Sequence, residues 1–125
     1  MKWLDRNLIT GPYLGLATTE GQFHQAMRHC KVPSKNWPAW VSDGADATTH
    51  TFANRDGDTA CMVCIRPRDG QTPIQIAAML VHEAVHVWQE YSSRIGETNP
   101  SSEFEAYSIQ AIAQRLMTAY ADSLG

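Results

Sequence analysis

Two histidines with a glutamate between them are the residues of this chain best suited to metal chemistry. They are His82, Glu83 and His86, in the pattern His-Glu-x-x-His. Residues four apart on a helix lie one turn above each other, with Cβ atoms about 5–6 Å apart, so both imidazole rings can reach one ion. Glu83 then points about 100° away from His82, where its carboxylate can contact a water on the metal without displacing it. The pattern therefore predicts a zinc site with Glu83 as the general base.

This geometry requires a helix, and the surrounding sequence has a helical pattern. Thr72 and Pro73 are typical of an N-cap and a first helical residue. Apolar residues then recur at helical spacing, at Ile76, Ala77, Leu80, Val81, Ala84, Val87 and Trp88. We expect this stripe to face a core, with His82 and His86 at its edge. Two ordinary surface or core histidines are the alternative interpretation, which the intervening glutamate disfavours.

A catalytic zinc site normally has three protein ligands and a water, so another residue must provide the third ligand. No histidine follows His86 in the sequence. The upstream histidines, which could contribute only by tertiary approach, are His24, His29 and His50. Glu90 continues the row of the two histidines, but on a straight helix it lies roughly 11–12 Å from His82, too far for both to bind one ion. We expect Glu90 to be a solvated charge.

The third ligand is expected on a second helix. Asn99-Pro100-Ser101-Ser102 breaks the chain and offers hydroxyl caps, and a helix is predicted from Glu103 to Ser123. Its apolar positions are Ala106, Ile109, Ile112, Ala113, Leu116 and Tyr120. Two glutamates in its first turn, Glu103 and Glu105, are the candidate ligands.

The two segments together resemble the gluzincin peptidases, in which the third zinc ligand lies on a helix that follows the HExxH helix. The E-x-x-A-D pattern of several gluzincin families matches Glu103, Ala106 and, imperfectly, Tyr107. The resemblance implies Glu103 as the ligand. This chain departs from the family pattern at Tyr107, because gluzincins often have there a carboxylate that hydrogen-bonds one zinc-bound histidine.

Periodicity favours Glu105 instead. Glu105 lies four residues before Ile109 and seven before Ile112, so it falls on the apolar stripe of the helix. The segment Glu105-Ala106-Tyr107-Ser108 also resembles the glutamate segment of thermolysin-like enzymes. Glu103 is preferred because periodicity is least reliable at helix starts, and Glu105 stays the alternative. The glutamate that does not bind metal is expected to interact with the helix dipole.

The gluzincin resemblance implies zinc-dependent hydrolysis of peptide bonds, with one Zn²⁺ ion and a peptide or protein as substrate. The ligands would be His82, His86 and Glu103, with Glu105 as the alternative third ligand. A second donor besides zinc is needed for the oxyanion of the tetrahedral intermediate. The candidates for that donor are Tyr107, Tyr91 and His50.

The stretch from Val81 to Tyr120 is also similar to small HExxH proteins found among tailed-phage genes, which implies a virion-associated or host-cytoplasmic location for a phage-encoded chain. Two alternatives to an active peptidase stay open. One is a non-catalytic, metal-stabilised interaction or assembly module. The other is a latent peptidase whose cleft is covered by Trp37 or Trp40.

Length and composition predict one domain covering residues 1–125. The chain has 125 residues, 43% of them hydrophobic, which suffices for one core and not for a second. A net charge of −3 with scattered basic residues argues against a nucleic-acid partner. The segment Met1-Lys2-Trp3-Leu4-Asp5-Arg6 carries an acidic residue and no sustained apolar run, and no stretch has the length of a membrane span. We therefore expect no signal peptide, no membrane partner and a cytoplasmic location.

Cys30, Cys61 and Cys64 are an odd number of cysteines, which argues against a secreted disulfide framework. Cys61 and Cys64 have C-x-x-C spacing but lie in a predicted strand from Thr59 to Arg66. Residues three apart in a strand face opposite sides, so the two sulfurs should diverge. Buried free thiols are therefore expected, rather than a second zinc site or a redox pair.

The rest of the sequence predicts an irregular segment at residues 1–18, with a turn at Gly11-Pro12, and a short helix at Glu20–Cys30. A loop is predicted at Lys31–Gly44, and its tryptophans should cover the core. Strands at Ala47–Asn54 and Thr59–Arg66 flank Asn54-Arg55-Asp56-Gly57-Asp58, a strong hairpin signal. The expected fold is α+β and zincin-like, with a small antiparallel sheet packed on the HExxH helix and the following glutamate-bearing helix. The second hairpin strand is expected to be a sheet edge that binds extended peptide by strand addition.

Overall fold

The computed structural model describes residues 11–53 and 57–125. In chain order the elements are β1 (Tyr13–Ala17), α1 (Glu20–His29), a 3₁₀ turn (Ser34–Asn36), β2 (Ala47–Ala53), β3 (Thr59–Ile65), α2 (Pro73–Arg94) and α3 (Ser102–Ser123). The α+β class is confirmed, with three α-helices and a three-stranded sheet among the described residues. The predicted helices and the two predicted strands agree with the structure to within a residue or two. None of the helices among these residues has the length and apolar character needed to cross a membrane.

The sheet is mixed, in the order β1-β3-β2. β2 runs antiparallel to β3, as predicted, whereas β1 runs parallel to β3. The prediction of a purely antiparallel sheet was therefore wrong, and so was the prediction that β3 is an edge strand. β3 is the central strand because β1 pairs along its other side.

β1 also corrects the prediction that residues 1–18 are irregular, of which residues 1–10 lie outside the described part of the chain. The strand has only five residues with a glycine at its centre, so its local signal is weak. Gly15 is paired with Met62, and a Cβ at Gly15 would lie 2.5 Å from Met62 Cε. The glycine thus leaves room for the methionine side chain on the neighbouring strand.

Buried side chains form two clusters, one on each face of the sheet, where a single core was expected. On one face, which we term the α2–α3 core, β3 packs against α2 and α3 through buried residues that include Cys61, Val63, Ile65, Leu80, Ala84, Val87, Trp88, Ile112 and Leu116. On the other face, the α1 core contains Ala17, Phe23, Met27, Val41 and Cys64. Trp37 and Trp40 pack against the α1 core, which confirms that the tryptophans of the loop cover a core.

Cys61 and Cys64 lie on opposite faces of the sheet, as their spacing predicted. Both thiols are buried, and all three cysteines are free. Burial raises the pKa of the Cys61 thiol, and burial together with the charge of Glu83 raises the pKa of Cys64 to about 12. Both thiols are therefore protonated near neutral pH and are poor nucleophiles.

α2 and α3 begin where the sequence predicts. The side chain of Thr72 accepts a hydrogen bond from the backbone N–H of Gln75, and the side chain of Gln75 accepts one from the backbone N–H of Thr72. This reciprocal capping box, with Pro73 in the first turn, fixes the start of α2. At the start of α3 the hydroxyl of Ser101 accepts a hydrogen bond from the N–H of Phe104, without the reciprocal bond found in α2. The hairpin signal at Asn54–Asp58 falls largely outside the described residues, which exclude 54–56.

Candidate metal centre

His82, Glu83 and His86 of α2 line a cavity beside strand β2. Most of the predicted apolar stripe of α2 is buried, at Ile76, Leu80, Ala84, Val87 and Trp88, whereas Val81, which was predicted to belong to it, is 40% exposed. His82 and His86 are exposed at the border of the buried face. The cavity has a volume of about 470 Å³. It is lined by His82, Glu83, His86 and Glu90 of α2, and by Ser42, Ala45, Ala47, Thr48, Thr49 and Thr51 of β2 and the segment before it.

The imidazole rings of His82 and His86 approach each other through their Nε2 atoms. Their Nε2 atoms lie 3.2 Å apart. Two nitrogens that each lie about 2.0–2.1 Å from a tetrahedral zinc ion are separated by about 3.3–3.4 Å. The separation is close to that of two ligands of one zinc ion, and it is also the distance of a hydrogen bond between the two rings.

Glu83 is buried beside this pair. Its side chain is only 4% exposed although it lines the cavity. The hydroxyl of Thr49 donates a 2.6 Å hydrogen bond to Glu83 Oε2. Because a buried carboxylate is costly without partners, this bond both compensates for burial and fixes the direction of the side chain.

Thr49 was not singled out in the sequence. It lies opposite Val63 in the β2–β3 register, on the face that packs against α2. Its contact with Glu83 joins residues 34 positions apart, so no local pattern could have identified it. Gln89 was also missed, although it lies on the same helix as His86. Its Oε1 is 3.1 Å from His86 Nδ1.

The glutamates proposed as third ligand lie at the start of α3 and do not line this cavity. Glu103 is exposed. Glu105 Oε2 accepts a 3.0 Å hydrogen bond from the indole N–H of Trp88. Within residues 11–53 and 57–125, no three histidine, cysteine, aspartate or glutamate side chains form a group that could hold a metal ion. The third ligand therefore stays a prediction.

Alanine substitutions compared side by side test that prediction. We expect Glu103→Ala to lose zinc and Glu105→Ala to retain it, since Glu105 is already engaged by Trp88. Glu105→Ala should instead lower the free energy of unfolding by about 1–3 kcal/mol, because the indole N–H of a buried tryptophan loses its acceptor. Metal content after dialysis and chemical denaturation measure the two effects. Full zinc content in Glu103→Ala would exclude Glu103 as the ligand.

The three candidates for the oxyanion donor lie elsewhere. Tyr91 and Tyr107 line a different cavity, between α2 and α3. His50 faces the α1 core side of the sheet, with Nε2 2.9 Å from the carbonyl oxygen of Trp40 and its ring against Phe23. None of the three lines the cavity of His82 and His86.

Trp37 and Trp40 do not cover the cavity either. Trp37 stacks on His24 and donates its indole N–H to the carbonyl oxygen of Val32. The guanidinium of Arg66 lies 5.4 Å from the ring centroid of Trp40. With both tryptophans packed on the α1 core, nothing at these positions supports the latent-peptidase interpretation.

Comparisons of the chain with protein-family models, with curated proteins and with solved structures gave no match. Of the candidate site residues, the structure brings His82, Glu83 and His86 together in one cavity. What the chain does is therefore inferred from these residues and their neighbours.

Proposed function

We propose that this chain is a zinc-dependent peptidase, with one zinc ion held by His82 and His86. The observation that carries the proposal is the convergence of the two Nε2 atoms, 3.2 Å apart, beside the buried carboxylate of Glu83. A third ligand from Glu103, or alternatively Glu105, would complete the usual set of a catalytic zinc site. Peptides or proteins are the proposed substrates, in line with the gluzincin resemblance.

Glu83 is the proposed general base. When bound, zinc supplies Lewis acidity, which polarises a carbonyl group and lowers the pKa of water from about 15.7 toward about 7. Glu83 would accept the proton of the attacking water and pass it to the departing amine. The carboxylate is suited to this role because Thr49 holds one oxygen while the side chain faces the cavity.

Strand β2 is the proposed platform for the substrate. Among the described strands β2 pairs only with β3, so its other side is an edge, and its residues line the cavity. An extended peptide could add to this edge through backbone hydrogen bonds and so lie across the metal site. The β2 and preceding residues at the cavity have small or hydroxyl-bearing side chains, which leave room for a peptide backbone.

The direct test is digestion of a mixed peptide library by the zinc-loaded protein, with products identified by mass spectrometry. We expect cleavage that requires zinc and stops when a chelator removes it. Absence of cleavage together with full zinc binding would contradict the peptidase proposal. It would favour the alternative, a non-catalytic, metal-stabilised interaction or assembly module.

Thr49 offers a second test, because its hydroxyl fixes the general base. Thr49→Val removes the hydrogen-bond donor while keeping the shape of the side chain. We expect kcat to fall roughly 10–100-fold, because a hydrogen bond to a charged group contributes about 1.5–3 kcal/mol. Zinc affinity and KM should change little. Thr49→Ser should retain most of the rate because it keeps the hydroxyl.

Thr51→Val is the matched control, since Thr51 lies two residues further along β2 and lines the same cavity. Its hydroxyl lies 3.7 Å from Cys61 Sγ, whereas the hydroxyl that contacts the Glu83 carboxylate is that of Thr49. Equal rate losses in Thr49→Val and Thr51→Val would show that Thr49 has no special role in positioning Glu83.

A further inference from the structure

We propose that Gln89 positions His86 for metal binding by accepting a hydrogen bond from Nδ1–H, so that Nε2 faces the metal as the unprotonated nitrogen. The inference rests on the proposed zinc site and extends it to a residue outside the HExxH pattern. It predicts that the affinity for zinc depends on a side chain that never contacts the ion.

The contact is local and well defined. Gln89 Oε1 lies 3.1 Å from His86 Nδ1. Because a carbonyl oxygen can only accept a hydrogen bond, this contact is a hydrogen bond in the tautomer of His86 that carries its proton on Nδ1. Residues three apart on a helix are surface neighbours, which places the amide within reach of the ring without any loop movement.

The consequence concerns the other ring nitrogen. A neutral imidazole has one N–H, so a proton on Nδ1 leaves the lone pair of Nε2 free. That Nε2 points toward Nε2 of His82, 3.2 Å away, where a shared ion would lie. Metal-binding histidines commonly donate their other N–H to an acceptor, which fixes the tautomer and the orientation of the ring.

The helix supports this arrangement from its opposite side. Val87 and Trp88, between the two residues in sequence, are buried in the α2–α3 core and fix the rotation of α2 at this point. His86 and Gln89 are both exposed. Replacing Gln89 should therefore leave the fold intact, so that its effect on zinc can be measured separately from stability.

The experiment measures the Kd for zinc by competition with a chromophoric chelator, in the wild type, Gln89→Leu and Gln89→Glu. We expect Gln89→Leu to weaken zinc binding about 10–100-fold, the usual cost of losing such an acceptor. Gln89→Glu keeps an acceptor oxygen and should retain wild-type affinity or exceed it. Gln114→Leu, at an exposed glutamine of α3, is the control and should bind zinc like the wild type.

The outcomes separate this inference from the proposed function. Wild-type zinc affinity in Gln89→Leu would overturn the role of Gln89 and leave the zinc site standing. A Gln89→Glu variant as weak as Gln89→Leu would also overturn it, because the amide would then act as a donor. A lower melting temperature of Gln89→Leu before zinc addition would assign Gln89 a structural role instead. A wild type that binds no zinc would overturn the proposed function together with the inference.

Discussion

Glu83→Gln is expected to abolish zinc-dependent peptide hydrolysis while zinc binding stays intact. A general base contributes roughly 10²–10⁴-fold to the rate, and an amide cannot take the proton of the attacking water. The substitution is nearly isosteric, and the amide oxygen can still accept the hydroxyl of Thr49, which donates to Glu83 at 2.6 Å. The buried side chain should therefore keep its place, and the loss should appear in kcat.

The measurement pairs peptide cleavage with zinc content in the same preparation. Equal melting temperatures of the wild type and Glu83→Gln serve as the control for folding. Equal rates of cleavage in the two proteins would remove the enzyme interpretation. Loss of zinc from Glu83→Gln would instead assign the glutamate to the metal.

His82→Ala and His86→Ala are expected to lose zinc binding, and hydrolysis with it. Each removes a proposed ligand, so the Kd should rise by more than the roughly 10–100-fold typical of losing a residue that only orients a ligand. Both histidines are exposed, so neither substitution removes a side chain from the core and the fold should be retained. Chelator competition gives the Kd of each variant.

His29→Ala is the control for these variants, since His29 is an exposed histidine on α1 that lines a different cavity. It should bind zinc as the wild type does. Wild-type affinity in either His82→Ala or His86→Ala would contradict the assignment of the two histidines as a metal pair.

The parts of the fold that sequence could predict are those with local signals. α2 and α3 were predicted because caps at Thr72 and Ser101 precede apolar residues at helical spacing. β1 was missed because its stability comes from pairing with β3, which is distant in sequence, and Gly15 weakens its local pattern. The missed strand then led to the wrong expectation that β3 lies at an edge.

For the site too, residues that are close in sequence could be predicted and contacts between distant segments could not. His82, Glu83 and His86 share one helix, so their spacing was enough to predict that they lie close together, and they line one cavity. Gln89, three residues after His86, could have been found by the same rule. Thr49 could not, because its contact with Glu83 depends on how β2 packs against α2. The choice between the two glutamates of α3 depends equally on tertiary placement.

Diffraction at the zinc absorption edge from crystals of the zinc-loaded protein tests the central claim most directly. We predict one ion about 2.0–2.1 Å from Nε2 of both His82 and His86, with one glutamate of α3 as third ligand and a position open to water on the side of Glu83. An ion elsewhere in the chain, or an ion enclosed by four protein ligands, would contradict the proposed catalytic zinc site.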